Sequence, residues 1–120
     1  MSESPLIEKT LHFSVRIVKL YQYLCSVKNE YVLSKQIIRS GTSVGANVNE
    51  AYYGQSRADF LSKLQIALKE TAETEYWLKV LHLSGIIDDK MYVSIADDCL
   101  SIKRMLIASI KTAQKNSNKQ

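Results

Sequence analysis

Residues 39–77 read RSGTSVGANVNEAYYGQSRADFLSKLQIALKETAETEYW, and this stretch decides the fold. After Ser56, apolar or small residues recur at Phe60, Leu64, Ala67, Thr71 and Thr74, and the alternation of four and three continues to Leu78 and Leu81. That spacing is one face of a long helix, suited to packing at a shallow angle against a neighbour. Before Gly54, a second apolar line runs through Leu33, Ile37, Val44, Val48 and Ala51. Gly54-Gln55-Ser56 separates the two: Gly54 suits a helix end, and Ser56 with Asp59 three residues on forms a capping-box start. Two amphipathic helices joined by so short a turn make an antiparallel hairpin. Each still has a face to bury, so the rest of the chain must supply partners.

It supplies two more helices. Ser4-Pro5 is a helix start, because Pro loses nothing at a position whose N–H has no partner. Phe13, Ile17, Leu20, Leu24 and Val27 follow at helical spacing, and Ile7, Leu11, Val18, Tyr21 and Cys25 widen the stripe. Ser84-Gly85 ends the third helix, and Asp88 caps a fourth with core line Tyr92, Ile95, Cys99, Ile102, Leu106 and Ile110. The expected helices cover about residues 5–28, 31–53, 57–84 and 88–114 in one domain spanning 1–120, with flexible tails at 1–4 and 115–120. Lengths of 22 to 28 residues with short loops predict an all-α, antiparallel up-down-up-down four-helix bundle. Gly41 and Gly45 stand inside the second helix, where each costs about 1 kcal/mol relative to Ala. They are explained if another backbone comes close or the helix bends.

With 120 residues, 46% hydrophobic and 23% charged, one Pro and four Gly, the chain excludes disordered and turn-rich all-β classes. Met1 to Glu8 carries acids and no apolar run, so no secretory leader is expected, and no segment approaches the ~20 apolar residues of a membrane span. Cys25 and Cys99 are far apart and form no CxxC, so both are read as free thiols in a reducing cytoplasm. The formal charge is +4, and the stretch from Lys103 to Gln120 holds five cations and no acid. A one-signed terminal helix attracts phosphate.

The polar residues of the hairpin are the candidate site. Ser40, Ser43, Asn47 and Glu50 form one line on the second helix, and Glu70, Glu73 and Trp77 another on the third. With the hairpin centred near residue 55, Ser40 falls opposite Glu70, Asn47 opposite Lys63 and Leu64, and Arg39 near Thr71. Arg39 is then placed to reach Glu70 or Glu73. Inside a bundle or between subunits, such a pair sets register more than it adds net stability. Glu70 and Glu73 as an acid/base pair is the minor alternative. The only histidines, His12 and His82, complete neither a Glu-x-x-His di-metal motif nor a nucleophile–base set, so no metal, cofactor or catalytic residue is assigned.

The pattern from Gln36 through Arg39, Ser40, Ser43, Asn47 and Glu50, then Ser56-Arg-Ala-Asp-Phe60, then Leu64 to Leu78 with Glu70, Glu73, Tyr76 and Trp77, resembles the four-helix bundle proteins named for intervening sequences of 23S ribosomal RNA genes, the S23 family. This chain carries Glu50-Ala51 where many members read Glu-Gly. The resemblance implies a four-helix bundle, a homopentamer arranged as a barrel around a channel, and no enzymatic activity. The accessory variability proteins of diversity-generating retroelements are similar, and they are basic pentamers that bind nucleic acid. The expectation is therefore a non-enzymatic oligomeric adaptor associating with RNA or a nucleic-acid-handling protein through the basic faces of helices one and four. Lys9, Arg16, Lys19, Lys103, Arg104, Lys111 and Lys115 would meet phosphates, while Arg39, Ser43, Asn47, Glu50, Glu70, Glu73 and Trp77 would serve register or subunit contact. The alternative is a purely protein-binding scaffold that presents Tyr52, Tyr53, Tyr76 and Trp77.

Overall fold

The computed structural model describes residues 4–118, and these form four helices: α1 (Pro5–Ser26), α2 (Leu33–Tyr52), α3 (Arg57–Leu83) and α4 (Asp89–Asn118). Every start is capped by a side chain. The Ser4 hydroxyl accepts from the Leu6 N–H at 3.2 Å, and the Ser56 hydroxyl accepts from the Asp59 N–H at 3.0 Å. Asp88 accepts from the Met91 N–H at 2.8 Å. For α2 the cap is the Glu30 carboxylate, which accepts from the N–H groups of Val32, Leu33 and Ser34 at 3.2, 3.0 and 2.7 Å. Burial opposes ionisation of Glu30, but these three donors outweigh it and hold its carboxyl below the usual value. Asn29 turns the α1–α2 connection at φ 53°, and Gly85 ends the α3 segment at φ 77°, a conformation that glycine adopts without strain. The N–H of Ile86 then reaches back to the carbonyl of Leu81 at 2.9 Å, closing off the end of α3.

Pairwise contacts set the helix directions. Gly41 meets Ile17 while Gly45 meets Thr10 and Ser14, so α1 and α2 run antiparallel. Glu50–Lys63 and Arg39–Glu73 do the same for α2 and α3. His82 stacks on Tyr92 and Lys103 reaches Glu75, so α4 runs back along α3. Arg16 and Lys9 on α1 close the circuit by pairing with Asp98 on α4. The result is an up-down-up-down bundle measuring 52 × 26 × 21 Å. Its core joins Phe13, Ile17, Leu24, Ile37, Val44, Leu64, Leu78, Ile102 and Leu106, all essentially inaccessible to solvent.

Three expectations are corrected. The α2–α3 register is displaced by about one helical turn. Ser40 meets Thr74 rather than Glu70, and Glu50 meets Lys63. The reason lies in the connection, whose Ser56 is extended (φ −141°, ψ 162°). The chain continues past the end of α2 before turning, so roughly the first turn of α3, about 6 Å, projects beyond Tyr52. Second, α4 does not end near residue 114 but remains helical to Asn118; residues 1–3 and 119–120 of the expected tails lie outside the described residues. Third, Leu11 and Val18 do not widen the core stripe of α1. Leu11 is 60% exposed and Val18 lies outside the core as well.

The two helical glycines of α2 have a cause in packing. A Cβ on Gly41 would stand 2.8 Å from both Cγ1 and Cγ2 of Ile17, and one on Gly45 would stand 3.1 Å from the carbonyl oxygen of Thr10. The backbone of α2 touches α1 at these points, so no side chain fits between them.

Candidate functional site

The polar residues of the hairpin lie along the flank where α2 meets α3. Arg39, half exposed, spans two carboxylates: its guanidinium lies 3.6 Å from Glu70 and forms an ion pair with Glu73. The Trp77 indole N–H donates to the same Glu73 oxygen at 3.2 Å. Glu70 is only 16% exposed, and its Oε1 accepts no hydrogen bond among the described residues. Arg39 therefore supplies that oxygen with charge but not with a bonded proton. Directly beneath, Ser40 and Thr74 hydrogen-bond across the helices at 2.9 Å inside the core. Glu50 and Lys63 close the outer rim at 3.1 Å.

Ser43 and Asn47 do not join this network. The Ser43 hydroxyl donates to the Arg39 carbonyl at 2.7 Å, and the Asn47 amide donates to the Ser43 carbonyl at 2.8 Å, so both turn back onto their own helix. Of the polar cluster read from the sequence, Arg39, Glu70, Glu73 and Trp77 are brought together, Glu50 pairs separately, and Ser43 and Asn47 stay within α2. A cation bridging two carboxylates, with an indole on one of them, ties the two helices together at a fixed register. Among the described residues no group of three or more His, Cys, Asp or Glu side chains could hold a metal ion. His82, for its part, contacts Asp89 at 2.6 Å and stacks on Tyr92 at 4.2 Å.

The seven cations divide into two sets. Arg16 donates to Asp98 at 2.7 Å, to the Ser94 carbonyl at 3.1 Å and to the Ser94 hydroxyl at 2.7 Å, and Lys9 pairs with Asp98 at 3.4 Å. Burial opposes ionisation of Asp98, but the Arg16 hydrogen bond and the charges of Lys9 and Arg16 overcome it and hold its carboxyl below the usual carboxylate value. Lys103 pairs with Glu75 at 3.3 Å. These three cations are committed to the α1–α4 and α3–α4 seams. Lys19, Arg104, Lys111 and Lys115 are exposed and take part in none of the ion pairs among the described residues. Arg104, Lys111 and Lys115 recur at seven and four, which sets them on the outward face of α4.

The sequence matches the family model for 23S rRNA-intervening sequence proteins over residues 3–108. The chain belongs to that family. A crystal structure of a protein of unknown function from the S23 ribosomal protein family of Bacteroides thetaiotaomicron VPI-5482 is 53% identical, with a TM-score of 0.87, covering 88% of this chain and 98% of that one. No curated protein matches. Family and bundle architecture thus agree with the periodicity of the sequence.

Three features escaped sequence reasoning. Asp98 and Ser94, which bind the α1 cations, read only as polar positions of α4. Leu11, Val15 and Val18 form an exposed apolar stripe on α1, and the 4–3 spacing that signals it is the same spacing that signals a core. On the outward face of α4, Val93, Leu100 and Ile107 recur at intervals of seven and are exposed as well. No helix among the described residues is long and apolar enough to cross a membrane.

Proposed function

We propose that this protein is a non-enzymatic, cytoplasmic adaptor that self-associates and binds RNA through its phosphates. The observation that carries the RNA reading is the fourth helix. No acid follows Asp98 on it, and Arg104, Lys111 and Lys115 share its outward face. Cations in that arrangement attract a polyanion without discriminating sequence, because phosphate contacts carry no base information. Lys9, Arg16 and Lys103 drop out of the phosphate-binding set, since each already has an acidic partner within the bundle.

The exposed apolar stripe of α1 supports self-association. Leu11, Val15 and Val18 form it, whereas Val93, Leu100 and Ile107 share the outward face of α4 with Arg104 and Lys111 and are left to the RNA. A patch on α1 that meets a different surface of the next copy generates a head-to-tail contact, which closes into a ring when the rotation allows. This agrees with the homopentamer implied by the family resemblance. The scaffold alternative draws on the same stripe with a different protein as occupant.

The tests are direct. Light scattering on a size-exclusion column should give a mass several times the 13.6 kDa of one chain. Val15→Glu should lower it toward the monomer. Binding of a mixed RNA pool should be measurable at low salt, weaken steeply as salt is added, and fall when Arg104, Lys111 and Lys115 are changed together to Gln. Absence of RNA binding at low salt refutes the RNA reading and leaves the scaffold. A monomer at all concentrations refutes self-association.

A further inference from the structure

The fourth helix outlasts the first. Lys9 and Arg16 pair with Asp98, and Arg16 also bonds Ser94, which sets the antiparallel register of α1 on α4. Pro5 lies four residues before Lys9 and eleven before Arg16, so it falls opposite residues between about 102 and 109. Since α4 continues to Asn118, at least about two of its turns have no α1 beside them. The uncovered side opens into a cavity of about 330 Å³. Ala108, Thr112 and Asn116 on α4 line one wall, and Tyr52 and Phe60 line the other. A volume near 300 Å³ is at the small end of ligand pockets.

The aromatic wall is built and held. Tyr52 and Phe60 pack edge to face, centroids 5.2 Å apart at 89°. The Ser4 hydroxyl donates to the Tyr52 oxygen at 3.0 Å, anchoring the ring from the start of α1. Tyr52 nevertheless remains 41% exposed. On the opposite rim, Lys111 and Lys115 each stand three residues beyond Ala108 and Thr112, within one helical turn, and Arg104 stands one turn before Ala108. No acid lines this cavity, and Glu50 and Asp59 of the hairpin line a different hollow with Tyr53, Gly54 and Lys63. An exposed ring on one side, polar Thr112 and Asn116 on the other and cations along the edge make the chemistry of an unpaired nucleotide. A base stacks, its edge meets hydroxyl and amide groups, and the flanking phosphates meet lysine.

The geometry points to this cavity as a stacking site for an unpaired base of single-stranded RNA, with Tyr52 as the platform and Lys111, Lys115 and Arg104 on the neighbouring phosphates. The inference rests on the RNA reading above and goes further by requiring a free base rather than phosphate alone. A duplex cannot offer one, since its bases are stacked and paired.

The experiment compares a labelled short unstructured RNA with a blunt RNA duplex of the same length, by fluorescence anisotropy over a salt series. The single strand should bind about tenfold tighter, the scale of one base stacked on one aromatic ring. Tyr52→Leu should remove that preference, and so should Thr112→Leu, an exposed substitution that fills the cavity without touching the core. Tyr52→Phe keeps the ring and should keep the preference. None of these should change the salt slope, whereas Lys111→Gln with Lys115→Gln should flatten it by about 1.4 for the single strand. Equal affinity for both RNAs, or unchanged single-strand binding in both Tyr52→Leu and Thr112→Leu, overturns the stacking site while the phosphate reading stands. No binding of either RNA at low salt overturns both.

Discussion

Gly41→Ala tests whether close approach of α1 and α2 organises the bundle. In an exposed helix this substitution stabilises by about 1 kcal/mol, because Ala is the better helix former. Here the added methyl would stand 2.8 Å from two carbons of Ile17, a fully buried, β-branched side chain with little freedom to move aside. Overpacking of this kind costs about 1–3 kcal/mol. With a contact this short to a rigid side chain the steric term outweighs the propensity gain, and the net expectation is destabilisation of up to about 2 kcal/mol, a fall in Tm on the order of 4 °C per kcal/mol. Urea and thermal unfolding at several protein concentrations separate this from any change in assembly. Two double variants locate the cause. Ile17→Val keeps both offending Cγ atoms, so its cost should add to that of Gly41→Ala. Ile17→Ala removes them, and the methyl introduced by Gly41→Ala then partly refills the cavity, so the pair should couple favourably by about 1–2 kcal/mol. A Gly41→Ala variant more stable than the parent, or equal coupling in the two cycles, would refute the reasoning.

Further consequences can be checked on the same footing. Thr74→Val removes the Ser40–Thr74 bond from the core and leaves the Ser40 hydroxyl with only its 3.5 Å contact to Ile37, so a loss of about 1–2 kcal/mol in urea unfolding is expected. Arg39→Ala strips Glu70 and Glu73 of their shared cation; because Arg39 is half exposed, the cost should be only about 1 kcal/mol and should shrink in high salt. Asp98 titrates below its ordinary value of 3.8 in the folded protein, so its contribution is complete above that pH and disappears as pH falls through the lower folded value. Asp98→Asn should thus be less stable than the parent at neutral pH, with the two converging in acid below pH 3.8. Burial pushes the Cys99 thiol up to about 12, so in a Cys25→Ser background alkylation at mildly alkaline pH should proceed only on unfolding. Fast labelling of the native variant would contradict the burial of Cys99.

The fold was legible because its signals are local. Leu64, Ala67, Thr71, Thr74, Leu78 and Leu81 repeat a single face, and all six are buried on α3. Ser4, Ser56, Asp88 and Gly85 punctuate the helices by groups that act within a few residues of themselves. The site was legible only in part. Placing Arg39 within reach of Glu70 and Glu73 required only that α2 and α3 form a hairpin, and a long Arg side chain tolerates an error in register. Short side chains do not. Ser40 pairs with Thr74 because an extended connection carries the chain past Tyr52 before it turns, a geometry that no periodicity encodes.

The sequence by itself determined four amphipathic helices, the starting caps of three of them, the all-α bundle and the acid-free end of the chain. Each follows from side-chain chemistry repeated at fixed intervals along one strand of peptide. Only the tertiary structure decided which cations remain available, because Lys9, Arg16 and Lys103 meet Asp98 and Glu75 across helix seams from positions 28 to 89 residues away. It also decided that Leu11 and Val18 face outward although they share the spacing of a core. Apolar periodicity specifies a stripe on a helix, while the width of that stripe that is buried depends on how closely the next helix packs. Gly41 and Gly45 bring α2 tight against α1 along a narrow line, and what lies beyond that line stays exposed.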